Sequence, residues 1–344
     1  MAAENQALRF PIAVPPPPGA TVEIVPGMHW LATSLPFRLN AVNLWLLREA
    51  DGWTMIDCGY PLPEVREQIE SAWAATLDNL PITRLLITHH HPDHVGNCRW
   101  IAERWGIEPT ITAGERERAL MLLGPQWVDD TAHRLAFWQR HGLSQAAADN
   151  INEHWGRYRQ HFRPLPEGWH PLKDGDSLSI GGVAWRVIVA QGHAPAQALL
   201  YSPERGMLIA GDQVLPKITP NVSVFGDRPN AQPLALFLAS NRRLEQSCGD
   251  AVVLPSHHRP FFGLRARIRE IEAHHEARLA KIEARLERAR MMAAELVPEL
   301  FGDGLNGHET GFAIGEAIAH LHHLVATGAA TKIERNGTIS FARR

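Results

Sequence analysis

Short runs of apolar residues dominate the first third of the chain. "VEIVPGMHWLAT", "NLWLLRE" and "WTMIDCG" are rich in Val, Ile, Leu and Trp and are cut by Gly, Pro or Asn. That pattern predicts strands. "EVREQIESAWAATL", residues 64–77, predicts a helix. The next apolar run, Leu85 to Thr88, has the unbroken character of a buried strand and leads straight into "HHHPDH". A helix over 95–105 and a strand at "PTITA" follow.

Residues 115–170 change character. They read as helical, contain Trp127, Trp138, Trp155 and Trp169, and separate two strand-rich regions. Strand patterning resumes over 176–193 and 198–212 and closes at "AVVLPSHHRP", 251–260, with a helix expected at "PLALFLASNRRLEQ". A long helix is predicted over 264–296, because Leu264, Ile268, Ile271, Leu279, Ile282, Leu286 and Leu296 fall on one face. A last helix, 311–326, precedes Asn336-Gly337 set between alternating apolar residues, the signal for a tight hairpin. Helices followed by a hairpin predict a small winged-helix-like appendage. The expected organisation is a Pro-rich lead-in over 1–20, a core domain over 21–262 with 115–170 inserted as a helical cap, and a C-terminal region over 263–344.

Composition narrows the function. The 344 residues are 45% hydrophobic and 21% charged with a formal net charge of −3, which does not suit a general nucleic-acid binder. Cys58, Cys98 and Cys248 are far apart and form no CxxC, so neither a disulfide framework nor a cysteine zinc site is expected. The N-terminus has no basic stretch followed by an apolar core, and no apolar run approaches a membrane span. A cytoplasmic location away from membranes is the expectation.

The chemistry concentrates in "LLITHHHPDHVGN", residues 85–97. A buried strand that ends in a loop can throw several side chains upward together. His89 and His91 could serve one metal, Asp93 and His94 another, and imidazole with carboxylate suits Zn²⁺, with Mn²⁺ or Fe as substitutes. His90, between two candidate ligands, is expected to point away, toward solvent or a neighbouring ligand.

This motif resembles the metallo-β-lactamase superfamily, and further matches appear in order. "QGHAPAQ" places His193 at the third ligand of the first metal. "LIAGDQV" places Asp212 at the bridging carboxylate, and "VLPSHHRP" places His257 at the final ligand, with His258 at a position usually Gly. The resemblance covers about residues 21–262. It implies an αββα four-layer sandwich. It also implies two zinc ions: one on His89, His91 and His193, one on Asp93, His94 and His257, with Asp212 between. "MIDCG" matches the superfamily's early Asp-x-Gly turn, where Asp57 would buttress the metal loop and Gly59 would form the turn.

The resemblance implies hydrolysis by a hydroxide shared between two metals, with Asp93 able to orient the nucleophile or relay a proton. His91 stands where the flavodiiron branch usually has Glu. The tail resembles that of lactamase-β-2-like relatives, and the core is also similar to glyoxalase II. An ester or thioester, small or carried on an acyl carrier, is the favoured substrate. A phosphodiester (as in a ribonuclease) or a lactone is the alternative, although the Tyr usual in lactonases after the bridging Asp is absent from "GDQVLPK". Residues 264–290 carry eight Arg plus Lys against five Glu, interleaved as on a solvated helix face rather than a nucleic-acid surface. Lys217 and Arg228 could meet an anionic substrate or simply be solvated. The long helix could pack on its own core or on a second copy, so a homo-oligomer stays open.

Overall fold

The computed structural model describes residues 8–37, 39–123, 130–159 and 162–344. Trp127 and residues 1–7 of the lead-in lie outside them. The chain forms two compact units. The first comprises Met1–Gly124, His161–Pro220 and Asn241–Ile268, the second Pro125–Gln160, Asn221–Ser240 and Arg269–Arg344.

The first unit is built on two sheets. One holds β1 (Thr21–Val25), β2 (Met28–Ser34), β3 (Ala41–Arg48), β4 (Trp53–Ile56), β5 (Ile82–Leu86), β6 (Pro109–Thr112) and β7 (His170–Leu172), in that order. It is antiparallel from β1 to β4 and parallel from β4 to β7. The other holds β8 (Ser177–Ile180), β9 (Val183–Ala190), β10 (Gln197–Ser202), β11 (Met207–Gly211) and β12 (Val252–Pro255), ordered β12-β11-β10-β9-β8. β9 shows why the sheets stack: Val183, Trp185 and Val187 are buried, while Ala184 and Arg186 between them are exposed. Their apolar faces share a core in which Trp30, Trp45 and Ile56 meet Trp185, Val187, Leu200 and Leu254.

Helices complete the layers. α1 (Pro63–Thr76) starts with Pro at its first position and buries Val65, Ile69 and Ala72 along one stripe. After the single turn α2 (Pro92–Val95), α3 (Cys98–Trp105) buries Cys98, Ile101 and Ala102 and stops at Gly106 in the left-handed region. Both α1 and α3 lie against the first sheet. α4 (Ala113–Leu123) follows β6 directly. Across the second sheet, Arg243 in the first-unit half of α7 (Pro233–Cys248) donates to Val189 O of β9 at 3.4 Å. The result is an α/β/β/α sandwich. Its strands β5, β9, β11 and β12 end one to three residues before the candidate residues His89, His193, Asp212 and His257.

The second unit contains α5 (Thr131–Arg140), α6 (Gln145–Arg159), the rest of α8 (Leu264–Leu286), α9 (Ala293–Phe301), α10 (Gly307–Ala326), and a hairpin of β13 (Ala330–Arg335) and β14 (Thr338–Arg343). Phe137, Trp138 and Ile151 share one core with Ile282, Leu296, Ile318 and Phe341. The 115–170 segment therefore divides. α4 belongs with the sandwich, whereas α5 and α6 share a core with the C-terminal region rather than forming an insertion of the sandwich alone. The boundary at 262/263 does not describe that partition.

The helix predicted over 264–296 ends at Leu286 and restarts as α9. Between them Met291 pairs in extended backbone with Phe341, N–H to O at 2.9 Å and 2.8 Å, which diverts the chain from its helical path. α10 starts before 311, because Asn306 and Glu309 cap each other's backbone N–H. Asn336 and Gly337 both take positive φ, 50° and 78°, as a two-residue hairpin turn requires.

Trp185 fills the space between the two sheets and is fully buried. Trp185→Ala is expected to cost about 3–5 kcal/mol of stability. Urea unfolding of both chains measures this, and a loss below about 1 kcal/mol would contradict the inter-sheet core.

Candidate metal centre

The loop after β5 carries most of the centre, and one buried carboxylate orders it. Asp57 follows β4 and adopts φ +61°, a conformation that L residues other than Asn and Asp seldom accept. Gly59 has φ +75°, and a Cβ there would meet Val65 Cγ1 at 2.8 Å, so the turn requires glycine. Asp57 Oδ1 accepts the Thr88 N–H at 2.7 Å. Its Oδ2 accepts the Thr88 hydroxyl at 2.8 Å and His94 Nδ1–H at 2.8 Å. Asp57 thus buttresses the loop without facing the cluster.

These bonds fix ring tautomers. Because Thr88 Oγ1 donates to Asp57, it accepts from His89 Nδ1 (3.1 Å), leaving His89 Nε2 as a bare lone pair. Ala41 O accepts from His257 Nδ1 at 2.9 Å, as Asp57 does from His94 Nδ1, so Nε2 is the nitrogen that each of these rings turns toward the cluster. Such outer hydrogen bonds are what orient metal-binding imidazoles.

The seven expected ligands form two groups: His89, His91, His193 and Asp212, and Asp93, His94 and His257. His89 Nε2 lies 2.9 Å from His91 Nδ1 and 3.4 Å from His193 Nε2. Asp93 Oδ2 lies 3.5 Å from His94 Nε2 and 3.3 Å from His257 Nε2. Asp212 addresses both groups. Its Oδ2 is 3.5 Å from His193 Nε2, and its Oδ1 is 3.6 Å from His94 Nε2 and 3.5 Å from His257 Nε2.

The donor set fits metal ions. His94 Nε2 and Asp212 Oδ1 are buried with no hydrogen-bond partner among the described residues, as atoms awaiting a cation would be. Burial and neighbouring imidazoles push His89 and His91 well below the usual histidine range. Burial also opposes charge on His94 and His257, but the carboxylates prevail. Asp93, Asp212 and Asp57 raise His94 well above its ordinary value, and Asp212 and Asp93 raise His257 to about 10. In return, and against burial, His94 and His257 bring Asp93 down to about 2 and hold Asp212 well below the carboxylate range.

Several nearby residues stand apart from the expected ligands. His90 is buried rather than solvated; its ring lies 2.5 Å from Glu115 Oε2. Glu115 is fully buried, and burial raises its carboxyl to about 7 against the N–H groups of Ala196 and His90. Tyr60 was not legible as a site residue, yet its phenol is pushed up to about 12 by burial and by Asp93. His258 takes φ +67° where the resemblance expects Gly, so the backbone demand survives the substitution. Lys217 and Arg228 are exposed, Arg228 3.9 Å from Asp227 in the second unit. Burial raises Cys58 well above the usual thiol range, Cys98 to about 12 and Cys248 to about 11, so none is poised as a thiolate nucleophile. A third group, His275, Glu316 and His320, is buried in the second unit. There Arg278 already holds Glu316, and the two rings hydrogen-bond each other at 3.1 Å.

Comparison with known proteins decides the family. The metallo-beta-lactamase superfamily model matches residues 38–257. The chain belongs to the metallo-beta-lactamase superfamily. The model described as metallo-beta-lactamase-like, C-terminal domain, matches residues 279–344. A crystal structure of a beta-lactamase domain protein from Burkholderia ambifaria is 39% identical, with TM-score 0.91 over 98% of each chain. A metallo-beta-lactamase family protein from Thermus thermophilus is 30% identical, with TM-score 0.81 over 94% of this chain and all of that one. Among curated relatives, the probable metallo-hydrolase YqjP of Bacillus subtilis (strain 168) is 23% identical over 89% of this chain and 94% of its own length. Two others match at 24% identity. Hydroxyacylglutathione hydrolase of Rhodobacter capsulatus matches over 51% of this chain and 48% of its own, and atrochrysone carboxyl ACP thioesterase of Aspergillus terreus over 78% and 69%. Superfamily membership makes metal-dependent hydrolysis the shared chemistry, and the two donor groups are its candidate seat.

The raised value of His257 carries a sign. In the metal-free chain its protonated form adds stability that is full below about pH 6.5 and fades as pH rises through about 10. Metal must displace that proton, so zinc uptake should release protons and tighten as pH rises from about 6 to about 9. Calorimetry in buffers of different ionisation enthalpy reads the release; uptake without proton release or pH dependence would contradict the arrangement.

Proposed function

We propose that the chain is a binuclear metal hydrolase acting on an ester or thioester carbonyl, with zinc as the working ion. The observation that carries this reading is the placement of Asp212, one oxygen toward the His193 side and the other toward His94 and His257. His89, His91 and His193 would hold one ion, Asp93, His94 and His257 the other, and Asp212 would join them. When bound, such a pair supplies Lewis acidity, lowering the pKa of a water and polarising the carbonyl under attack.

The chain's own residues supply orientation and proton handling. Asp57, Thr88 and the Ala41 carbonyl keep the rings of His94, His89 and His257 turned inward. Asp93 has Oδ2 between His94 and His257, which leaves Oδ1 to take a proton from the attacking water and deliver it to the leaving group. Tyr60, whose phenol senses Asp93, stands edge-on to Phe37 and Phe162, with ring centroids 5.4 Å and 6.2 Å apart. That aromatic wall suits an acyl chain better than a polyanion. The formal net charge of −3 also disfavours a phosphodiester backbone. Two relatives are named as a hydroxyacylglutathione hydrolase and an acyl-carrier thioesterase, which supports the same choice. A cytoplasmic, acyl-carrier or small-molecule substrate belongs to this reading.

Asp212→Ala and His89→Ala should each abolish hydrolysis, a loss above about 1,000-fold, and lower bound zinc. A panel of acyl thioesters, lactones and RNA, run beside metal analysis, tests both parts. Full activity with unchanged zinc would contradict the site, and RNA cleavage without thioester turnover would replace the substrate class.

A further inference from the structure

Glu115 joins the two loops that supply the first histidine group. It lies in the first turn of α4, is fully buried, and offers both carboxylate oxygens. Oε2 accepts the backbone N–H of His90 at 2.9 Å and lies 2.5 Å from His90 Nδ1. Oε1 accepts the backbone N–H of Ala196 at 2.6 Å. His90 sits between His89 and His91; Ala196 lies three residues beyond His193. A single side chain therefore spans both segments.

Neighbouring contacts tighten the strap. Thr112 Oγ1 donates to Ala196 O at 2.8 Å and accepts the Glu115 N–H at 3.3 Å, so both ends of the Ala196 residue are tied to the junction of β6 and α4. A Cβ on Gly114 would meet the Ala196 Cβ at 3.1 Å, so the two segments approach closely there. The His90 ring in turn lies against His91, with centroids 4.6 Å apart. The other donor group has different anchors, because His94 rests on Asp57 and His257 on the Ala41 carbonyl.

We infer that Glu115 is a positioning residue for one metal of the pair: through His90 and Ala196 it sets the spacing of His89 and His91 against His193, and leaves the Asp93, His94, His257 group untouched. This rests on the binuclear reading above. It assigns His90 a purpose as well. Its side chain, excluded from the cluster, is the handle by which the His89–His91 segment is held.

Stepwise cobalt(II) titration of the metal-free 344-residue chain, followed by absorption and calorimetry, tests it. Glu115→Gln keeps the volume but sets an amide against backbone donors, and should weaken one binding step by about 10–100-fold while the other stays fixed. In the His193→Ala background, where the remaining step belongs to the other group, adding Glu115→Gln should change nothing. Excess metal should restore hydrolysis to Glu115→Gln, an effect that a general loss of structure would not give. Two unchanged steps, two equally weakened steps, or a shift in the His193→Ala background would each overturn the inference. Should Glu115→Gln fail to fold, His90→Ala decides: the same selective weakening supports the role and its absence overturns it. A wild-type chain that takes up no cobalt overturns the binuclear reading and this inference together, whereas two tight steps insensitive to Glu115→Gln overturn this inference alone.

Discussion

The attraction between two carboxylates, Asp212 buried and Asp93 half-buried, and a crowd of imidazoles is the interaction on which the centre depends. Asp93 and Asp212 stay charged in a place where burial disfavours charge, because His94 and His257 face them. His89 and His91, lacking an equally close carboxylate, are driven neutral. The same packing thus prepares anionic oxygens and neutral ring nitrogens side by side. Only protons or metal cations can satisfy that arrangement, and the unpartnered Nε2 of His94 and Oδ1 of Asp212 show where protons alone fall short.

The sandwich exists, for this purpose, to hold strand ends together. β5, β9, β11 and β12 come from distant parts of the chain and deliver their loops to one place. Trp30, Trp45 and Trp185 lock the sheets that carry those strands. Buried polar clamps then fix details that sheet packing alone cannot. Asp57 is one, bent into a left-handed conformation to reach Thr88 and His94. Glu115 is the other, reaching from a helix that has no ligand of its own.

Much of this was legible in the residues, for identifiable reasons. Four of the seven candidate ligands sit in one local motif with fixed spacing, the other three follow strands with strong apolar patterning, and their order along the chain carried the fold. Asp57 and Gly59 were legible because a tight turn leaves a mark in residue types. Glu115 and Tyr60 were not, because each acts through a contact distant in sequence and neither lies in a motif. His90 was read only as a non-ligand, since nothing in "HHHPDH" reveals the carboxylate that buries it. The break at residue 286 was hidden for a similar reason: the apolar stripe continues to Leu296, but a backbone pairing with Phe341, fifty residues beyond Met291, interrupts the helix. The grouping of α5 and α6 with the C-terminal helices likewise rests on a shared core that no local pattern records.

The central claim is that Asp212 spans two metal ions held by separate histidine groups. X-ray absorption at the zinc edge of the loaded wild-type chain tests it most directly, because it reads the distance between ions without depending on a substrate. The account predicts a zinc–zinc scattering path at about 3.5–4 Å that disappears in Asp212→Ala. Zinc bound with nitrogen and oxygen neighbours but no such path in the wild type would contradict it.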